Sequence, residues 1–246
     1  MDIKTLFGIN GVNADKQSFK NWIQPEFDNM FSFCKNLKVN TEIAYTEIEE
    51  LKKYKDSKIL IVGAGPSTNE VEWENLDYDY IWSLSNRLNK NKVDLICVGG
   101  EVDFHNDTFI DYVSEHNPLL MFEWHARWMN EKTYLEQLYN SYPKIGCFQT
   151  RAYGKIGGVT RLMILALYLK AKEIYIVGSD GCAGLSVTKK EFTTHGHAFE
   201  KNKNTWPWMI TKDNAYEIYH HQYETLWEYI FNELNFDTKI FNLGEY

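Results

Sequence analysis

The chain has 246 residues, 44% of them hydrophobic, which is enough for one sizeable core without a second domain. Its formal net charge is -8 and its pI about 5.4, so it lacks the basic stripe that nucleic acid asks for. A small anionic ligand remains admissible, because backbone N–H groups at a helix N-terminus hold phosphate without net positive charge.

The first fifty-odd residues read as helices. Gln17 to Asn36 carries Phe19, Trp22, Ile23, Phe27, Met30 and Phe31 at roughly helical spacing, broken only by Pro25. Thr46 to Tyr54, rich in Glu and Lys, suits an exposed helix. Residues 1–55 are therefore expected to form a helical cap ahead of one globular unit over 56–246.

From Lys58 the texture changes. Lys58 to Gly63 is a short apolar run without alternation, as expected for a parallel strand buried on both faces. Similar runs follow at Tyr80 to Leu84, Val93 to Val98, Leu119 to Phe122, Glu173 to Gly178 and Lys239 to Phe241. Helical patterns lie at Val159 to Leu169 and Ala215 to Leu234. This alternation predicts an α/β fold of Rossmann type, a mostly parallel sheet with helices on both faces. Gly181 to Asp213 has no sustained period and leaves a strand's carboxyl end, where open α/β sheets bind ligands; a lid loop is expected there.

The four cysteines, Cys34, Cys97, Cys147 and Cys182, form no CxxC pair and read as reduced thiols. Met1 to Thr5 lacks a charged region leading into an apolar one, and no stretch approaches a membrane span. Cytoplasmic placement is expected.

Two glycine-bearing turns carry the chemistry. The first strand runs into Gly63-Ala64-Gly65-Pro66-Ser67. Glycines let backbone approach a phosphate, Pro66 suits a first helical position, and Ser67 or Thr68 can cap or contact an anion. Thr68 stands where a dinucleotide fingerprint has its third glycine, and Ser85-Asn86 where NAD enzymes place a ribose-binding carboxylate. Both argue against NAD, while Asn86 can bond a ribose or base. The second turn, Gly157-Gly158, opens a patterned helix leading to the strand that ends Gly178-Ser179-Asp180. Asp180 falls just past that strand's carboxyl end, where charged groups face the crevice.

Other residues are candidates by type and spacing. Glu101, Asp103 and His105 alternate after the third strand, and the two carboxylates offer oxygen ligands for Mg²⁺. His195 and His197, with Trp206 and Trp208, populate the expected lid. On the last helix, Ile218, Tyr219, Gln222, Leu226, Tyr229 and Ile230 make the core face. His221 joins Glu217, Glu224 and Glu228, and His220 sits on an aromatic flank with Tyr216, Trp227 and Phe231, the better place for a base. No P-loop, HExxH or GxSxG motif occurs.

The order "KILIVGAGPS", "SLSNRL", "GGVTRLMILALYLKAKEIYIVGSD" resembles the 6-hydroxymethylpterin diphosphokinase MptE-like family, which includes motility-associated factors and is similar to bacterial sialyltransferases using CMP-sialic acid. The resemblance covers roughly Lys58 to Leu243. It implies that Gly65, Pro66, Ser67, Asn86, Gly157 and Gly158 hold a nucleotide, and that His220 or His221 is the general base toward an acceptor hydroxyl. The expected activity is transfer from a nucleotide-activated, CMP-type sugar to a small-molecule or glycan acceptor. The alternative is a diphosphokinase moving pyrophosphate from ATP to a pterin alcohol, with Mg²⁺ on Glu101, Asp103 and Asp180. The sialyltransferases have tyrosines just after the Asp, where this chain has Gly181 and Cys182. A nucleotide-binding module without catalysis is therefore the third expectation.

Overall fold

The structure is a computed structural model and describes residues 16–30, 32–63, 67–84, 92–98, 107–123, 136, 139–142, 144–151, 158–179 and 226–244. Helix α1 (Lys16–Met30) is followed by β1 (Leu37–Val39) and β2 (Ile43–Thr46), a 3₁₀ turn (Glu49–Tyr54), then β3 (Lys58–Val62) and the short α2 (Ser67–Glu70). A second 3₁₀ turn (Trp73–Asn75) leads to β4 (Tyr80–Ser83), β5 (Leu95–Val98), α3 (Asp107–His116), β6 (Leu119–Glu123) and β7 (Ile145–Thr150). Helix α4 (Gly158–Tyr168), β8 (Glu173–Val177), a π-helical turn (Tyr229–Glu233) and β9 (Lys239–Asn242) complete the order.

All nine strands join one sheet in the order β1-β2-β7-β6-β5-β4-β3-β8-β9. Every pairing from β7 to β9 is parallel, and β2 is antiparallel to both β1 and β7. The chain starts its parallel portion at β3, builds outward through β4, β5, β6 and β7, then returns to lay β8 on the other side of β3. That reversal gives the strand order of a Rossmann-like fold and places a topological switch point between β3 and β8.

Alternation along the strands shows why each run is continuously apolar. Leu60 and Val62 enter one core with Phe19, Ile23 and Phe27 of α1 and Phe109, Tyr112 and Val113 of α3. Ile59 and Ile61 enter the opposite core with α4 and with Leu51 and Tyr54 of the 3₁₀ turn. Residues 158–167 of α4 are buried all round, as fits a helix whose apolar residues do not keep to one face.

The six expected strands and the expected α4 are all present. The N-terminal portion is not helical throughout. Helix α1 runs through Pro25, whose missing N–H falls on an exposed face, with the residue one turn earlier, Asn21, exposed as well. Residues 37–46 form a hairpin on the sheet edge rather than helix. Its turn is fixed by Asn40, whose Oδ1 accepts from the N–H groups of Glu42 at 2.7 Å and Ile43 at 2.8 Å. The helix expected over Thr46 to Tyr54 is a strand end and a single 3₁₀ segment. Of the helix expected over Ala215 to Leu234, residues from 226 are described, and its expected core residues Leu226, Tyr229 and Ile230 are buried. The expected lid, Gly181 to Asp213, lies outside the described residues.

At the switch point two glycines cross. A Cβ on Gly63 would stand 2.4 Å from the Gly178 carbonyl oxygen and 2.9 Å from Val159 Cγ2. A Cβ on Gly178 would stand 2.3 Å from Thr68 Oγ1 and 2.7 Å from the Gly63 carbonyl carbon. Gly178 also has φ +73°, the left-handed region that other L-residues enter at a cost. Gly178→Ala is therefore expected to destabilise the fold by about 2 kcal/mol or more, combining backbone strain with overpacking. Urea denaturation measures this; an unchanged midpoint would mean that the two strand ends have room to separate.

Candidate functional site

The carboxyl end of β3 is built to hold its neighbour. The Gly63 N–H donates to the Val177 carbonyl at 2.8 Å, continuing the ladder one residue past β3 onto the last residue of β8. The Ser67 Oγ accepts from the Gly178 N–H at 2.8 Å. Thr68 Oγ1 donates to the Gly63 carbonyl at 3.1 Å, and the Trp73 indole N–H closes the turn by donating to the Thr68 carbonyl at 2.9 Å. On the other flank, Ser83 at the end of β4 donates its hydroxyl to the Val62 carbonyl at 3.1 Å. Ser67, Thr68 and Ser83 are all buried.

The first turn of α4 meets the same place. A Cβ on Gly158 would lie 2.6 Å from Leu84 Cδ2, just past β4, and Val159 packs against Gly63. Thr160 and Arg161, polar residues of that turn, are buried as well. The ends of β3, β4 and β8 and the N-terminal turn of α4 thus converge at one edge of the sheet. Outward-pointing helix N–H groups and a positive dipole end are what an anion needs there.

Of the residues singled out from sequence, Gly63, Ser67 and Gly158 are brought together here. Ser67 is a clasp between β3 and β8 through the Gly178 N–H, a role not read from its position in the turn. Gly65, Pro66, Asn86, Glu101, Asp103, Gly157, Asp180, His197, Trp206, Trp208, His220 and His221 lie outside the described residues. Among the described residues, no group of three or more His, Cys, Asp or Glu side chains is placed to hold a metal ion, and no helix is long and apolar enough to cross a membrane.

A second polar cluster was not foreseen. Arg151 follows β7 and Glu42 precedes β2, where the antiparallel register sets them side by side, the Arg151 N–H donating to the Glu42 carbonyl at 2.6 Å. Arg151 Nε donates to Glu42 Oε2 at 2.6 Å and Nη2 to Glu233 Oε2 at 3.0 Å. Its guanidinium lies 4.6 Å from the centre of the Tyr229 ring, and the Tyr229 hydroxyl donates to Glu42 Oε2. Lys16 Nζ stands 2.9 Å from Glu42 Oε1 but lacks the alignment of a full hydrogen bond. Glu42, Arg151 and Tyr229 are at most 5% exposed, so each charge depends on the others. Burial pushes the Glu42 carboxyl up, but the bonds from Tyr229 and Arg151 and the nearby Lys16 outweigh it and hold the group below the ordinary carboxylate value. Burial and the Glu42 carboxylate push the Tyr229 phenol well above its ordinary value.

This cluster also lies at the carboxyl edge, but four strand steps from β3, about 19 Å away. It anchors the hairpin, α1 and the C-terminal helical turn to β7. Of the aromatic flank expected beside His220, Trp227 and Phe231 are described, and Tyr216 and His220 lie outside the described residues. Trp227 and Phe231 stack on each other at 5.4 Å, and Phe231 is 59% exposed.

Comparison with protein-family models, with curated proteins and with solved structures finds no match to this chain.

Because the folded-state Glu42 value is depressed, its contribution to stability is present above the unfolded value, roughly 4.3, and is lost as pH falls through the folded value. Glu42→Gln, which leaves Arg151 short of its main partner, is expected to cost about 3 kcal/mol at pH 7. In urea denaturation the gap between the two proteins should narrow at pH 3.5. An equal gap at both pH values would show that charge is not what holds the cluster.

Proposed function

We propose that the chain is a nucleotide-dependent transferase whose nucleotide lies in the crevice outside β3 and β8, over Gly63, Gly178 and the first turn of α4. One observation carries the reading: the fold reverses direction between β3 and β8, and there the backbones of Gly63 and Gly178 cross with no Cβ between them. Open α/β sheets bind their ligands at such a crevice. The close approach brings the ends of β3 and β8 to the first turn of α4, whose N-terminus with Arg161 adds positive potential for a phosphate in a chain of net charge -8.

The donor in this reading is a CMP-type nucleotide sugar, in line with the resemblance of the "GAGPS" and "GGVTR" segments to the sialyltransferase-like group. Gly65, Ser67, Gly157 and Gly158 face the phosphate and sugar, and Asn86 takes the ribose or base. His220 removes the acceptor proton, with His221 the alternative, and Asp180 stands at the reacting end. His197, Trp206 and Trp208 cover the acceptor.

A thermal-shift series with CMP, CDP, UDP, GDP and ATP, with and without Mg²⁺, tests it. A cytidine nucleotide is expected to stabilise the protein by about 2.7 kcal/mol at one hundred times its dissociation constant, equally in EDTA. Gly65→Val should abolish the shift and leave the melting of the free protein unchanged. Stabilisation by ATP alone, and only with Mg²⁺, would replace this reading with the diphosphokinase; no shift with any nucleotide would contradict both.

A further inference from the structure

At the amino edge of the sheet, opposite the proposed crevice, Lys53 is seated unlike its neighbours. It lies in the last turn of the 3₁₀ segment Glu49–Tyr54, which the buried Leu51 and Tyr54 fix against the core on the α4 side. Its Nζ stands 4.9 Å from the centre of the Tyr54 ring and 4.8 Å from that of Tyr80, and the two rings meet edge to face at 5.0 Å. Asp94 Oδ1 is 3.8 Å away, beyond hydrogen-bond distance. Oδ2 of the same carboxylate accepts from the Ile81 N–H at 3.0 Å, which keeps the group in place. The protein side of this ammonium is therefore two ring faces and a carboxylate just out of bonding reach. Its outer side is open to water, the side chain being 40% exposed.

The nearby lysines are held otherwise. Lys52 Nζ bonds Glu49 Oε2 at 2.6 Å, Lys58 bonds Asp77, and Lys144 donates to the Asn117 carbonyl at 3.4 Å. Lys55 stands 3.9 Å from Asp56 on an exposed turn.

We infer that Lys53 is a modification site, the amine on this face that an acyl phosphate acylates first. A lysine reacts through its free amine, and ring faces strip water from the ammonium without supplying an acceptor for its protons. Burial lowers the Lys53 ammonium below its ordinary value; the Asp94 and Glu50 charges oppose this, and those of Lys144 and Lys92 add to it. The Tyr54 phenol, pushed well up by burial, stays neutral beside it. Lys52 is shifted the other way, because its bond to Glu49 favours the charged form.

The step is an acyl transfer. The Lys53 nitrogen attacks the carbonyl carbon of the acyl phosphate, an N–C bond forms, and the C–O bond to phosphate breaks. The nitrogen gives up one proton, for which Asp94 Oδ1 is the carboxylate oxygen at hand, and the departing phosphate takes a proton up as hydrogen phosphate. Nothing is oxidised or reduced. The product is a neutral amide, so Asp94 loses the cation that faced it.

The test treats the folded full-length protein briefly with acetyl phosphate near neutral pH. After denaturation, every remaining amine is labelled with deuterated acetic anhydride. Digestion and tandem mass spectrometry then read the light-to-heavy ratio at each lysine, with fragment ions separating Lys52, Lys53 and Lys55. Lys53 is expected to be acetylated several times faster than Lys52 and Lys55, although their side chains are the more exposed, at 66% and 64%. Its lead should narrow as pH rises, because the other amines then lose their protons too. Tyr80→Leu, which removes one ring and lets water back to the ammonium, should also narrow it; the wild-type ratios decide alone if that variant fails to fold. Equal labelling of Lys52, Lys53 and Lys55, or a ranking by exposure with Lys53 last, would overturn the inference.

Discussion

The crossing of Gly63 and Gly178 is the constraint around which the parallel sheet is arranged. β3 and β8 are neighbours in space but lie on either side of the reversal in strand order, so their carboxyl ends separate into different loops. Two contacts hold the ends together, the Gly63 N–H to Val177 and the Gly178 N–H to Ser67, and the Thr68 hydroxyl bonded to Gly63 closes the turn after β3. A Cβ at either glycine would meet the backbone of the other, and at Gly178 the Thr68 hydroxyl as well. The α4 first turn docks onto the same point through Val159. Strand geometry, helix placement and the proposed ligand crevice therefore follow from one close backbone approach.

The far end of the same sheet edge solves a different problem. There β7 would be an edge strand, and the hairpin β1-β2 covers it. The hairpin is short, and the Glu42–Arg151 pair fixes its register by joining the residue before β2 to the residue after β7. Tyr229 and Glu233 then attach the C-terminal helical turn to the same guanidinium. A buried charge cluster is costly to desolvate, so its worth lies as much in specifying one arrangement of four chain segments as in net stability. Both clusters sit at the carboxyl edge; the one at the switch point is built from close backbone approach, the other from its own side chains.

Where one element of physics dominated, the sequence was readable. The apolar runs at Lys58, Tyr80, Val93, Leu119 and Glu173 are strands in the body of the sheet with both faces largely buried, the run at Lys239 is a mostly exposed edge strand, and α4 is legible because Val159 to Leu167 is almost wholly apolar. β7 escaped because Gly146, Gln149 and Thr150 interrupt its pattern, although all six of its residues are buried. β1 and β2 escaped because three or four residues are too few to show a period, and only Asn40 marked the turn between them. Pro25 seemed to break α1, but the exposed side of a helix tolerates the lost bond. In the site, the glycines at 63 and 158 were legible from their turns. The partner of Gly63 was not, since nothing local joins Gly178 to it until the sheet order is known. Glu42 and Arg151 were invisible for the same reason: a buried ion pair between distant residues has no local pattern, and each alone reads as a surface charge.

The central claim is that ligand contact is concentrated at the Gly63–Gly178 crossing, and amide resonances report on it residue by residue. A two-dimensional NMR titration of the backbone-assigned protein with CMP is the most direct measurement. The account predicts that the amides of Gly63, Gly158 and Gly178 shift together along a single saturating curve, while those of Glu42 and Arg151 stay in place. Saturable binding that moves Glu42 and Arg151 and leaves the three glycines unchanged would contradict it.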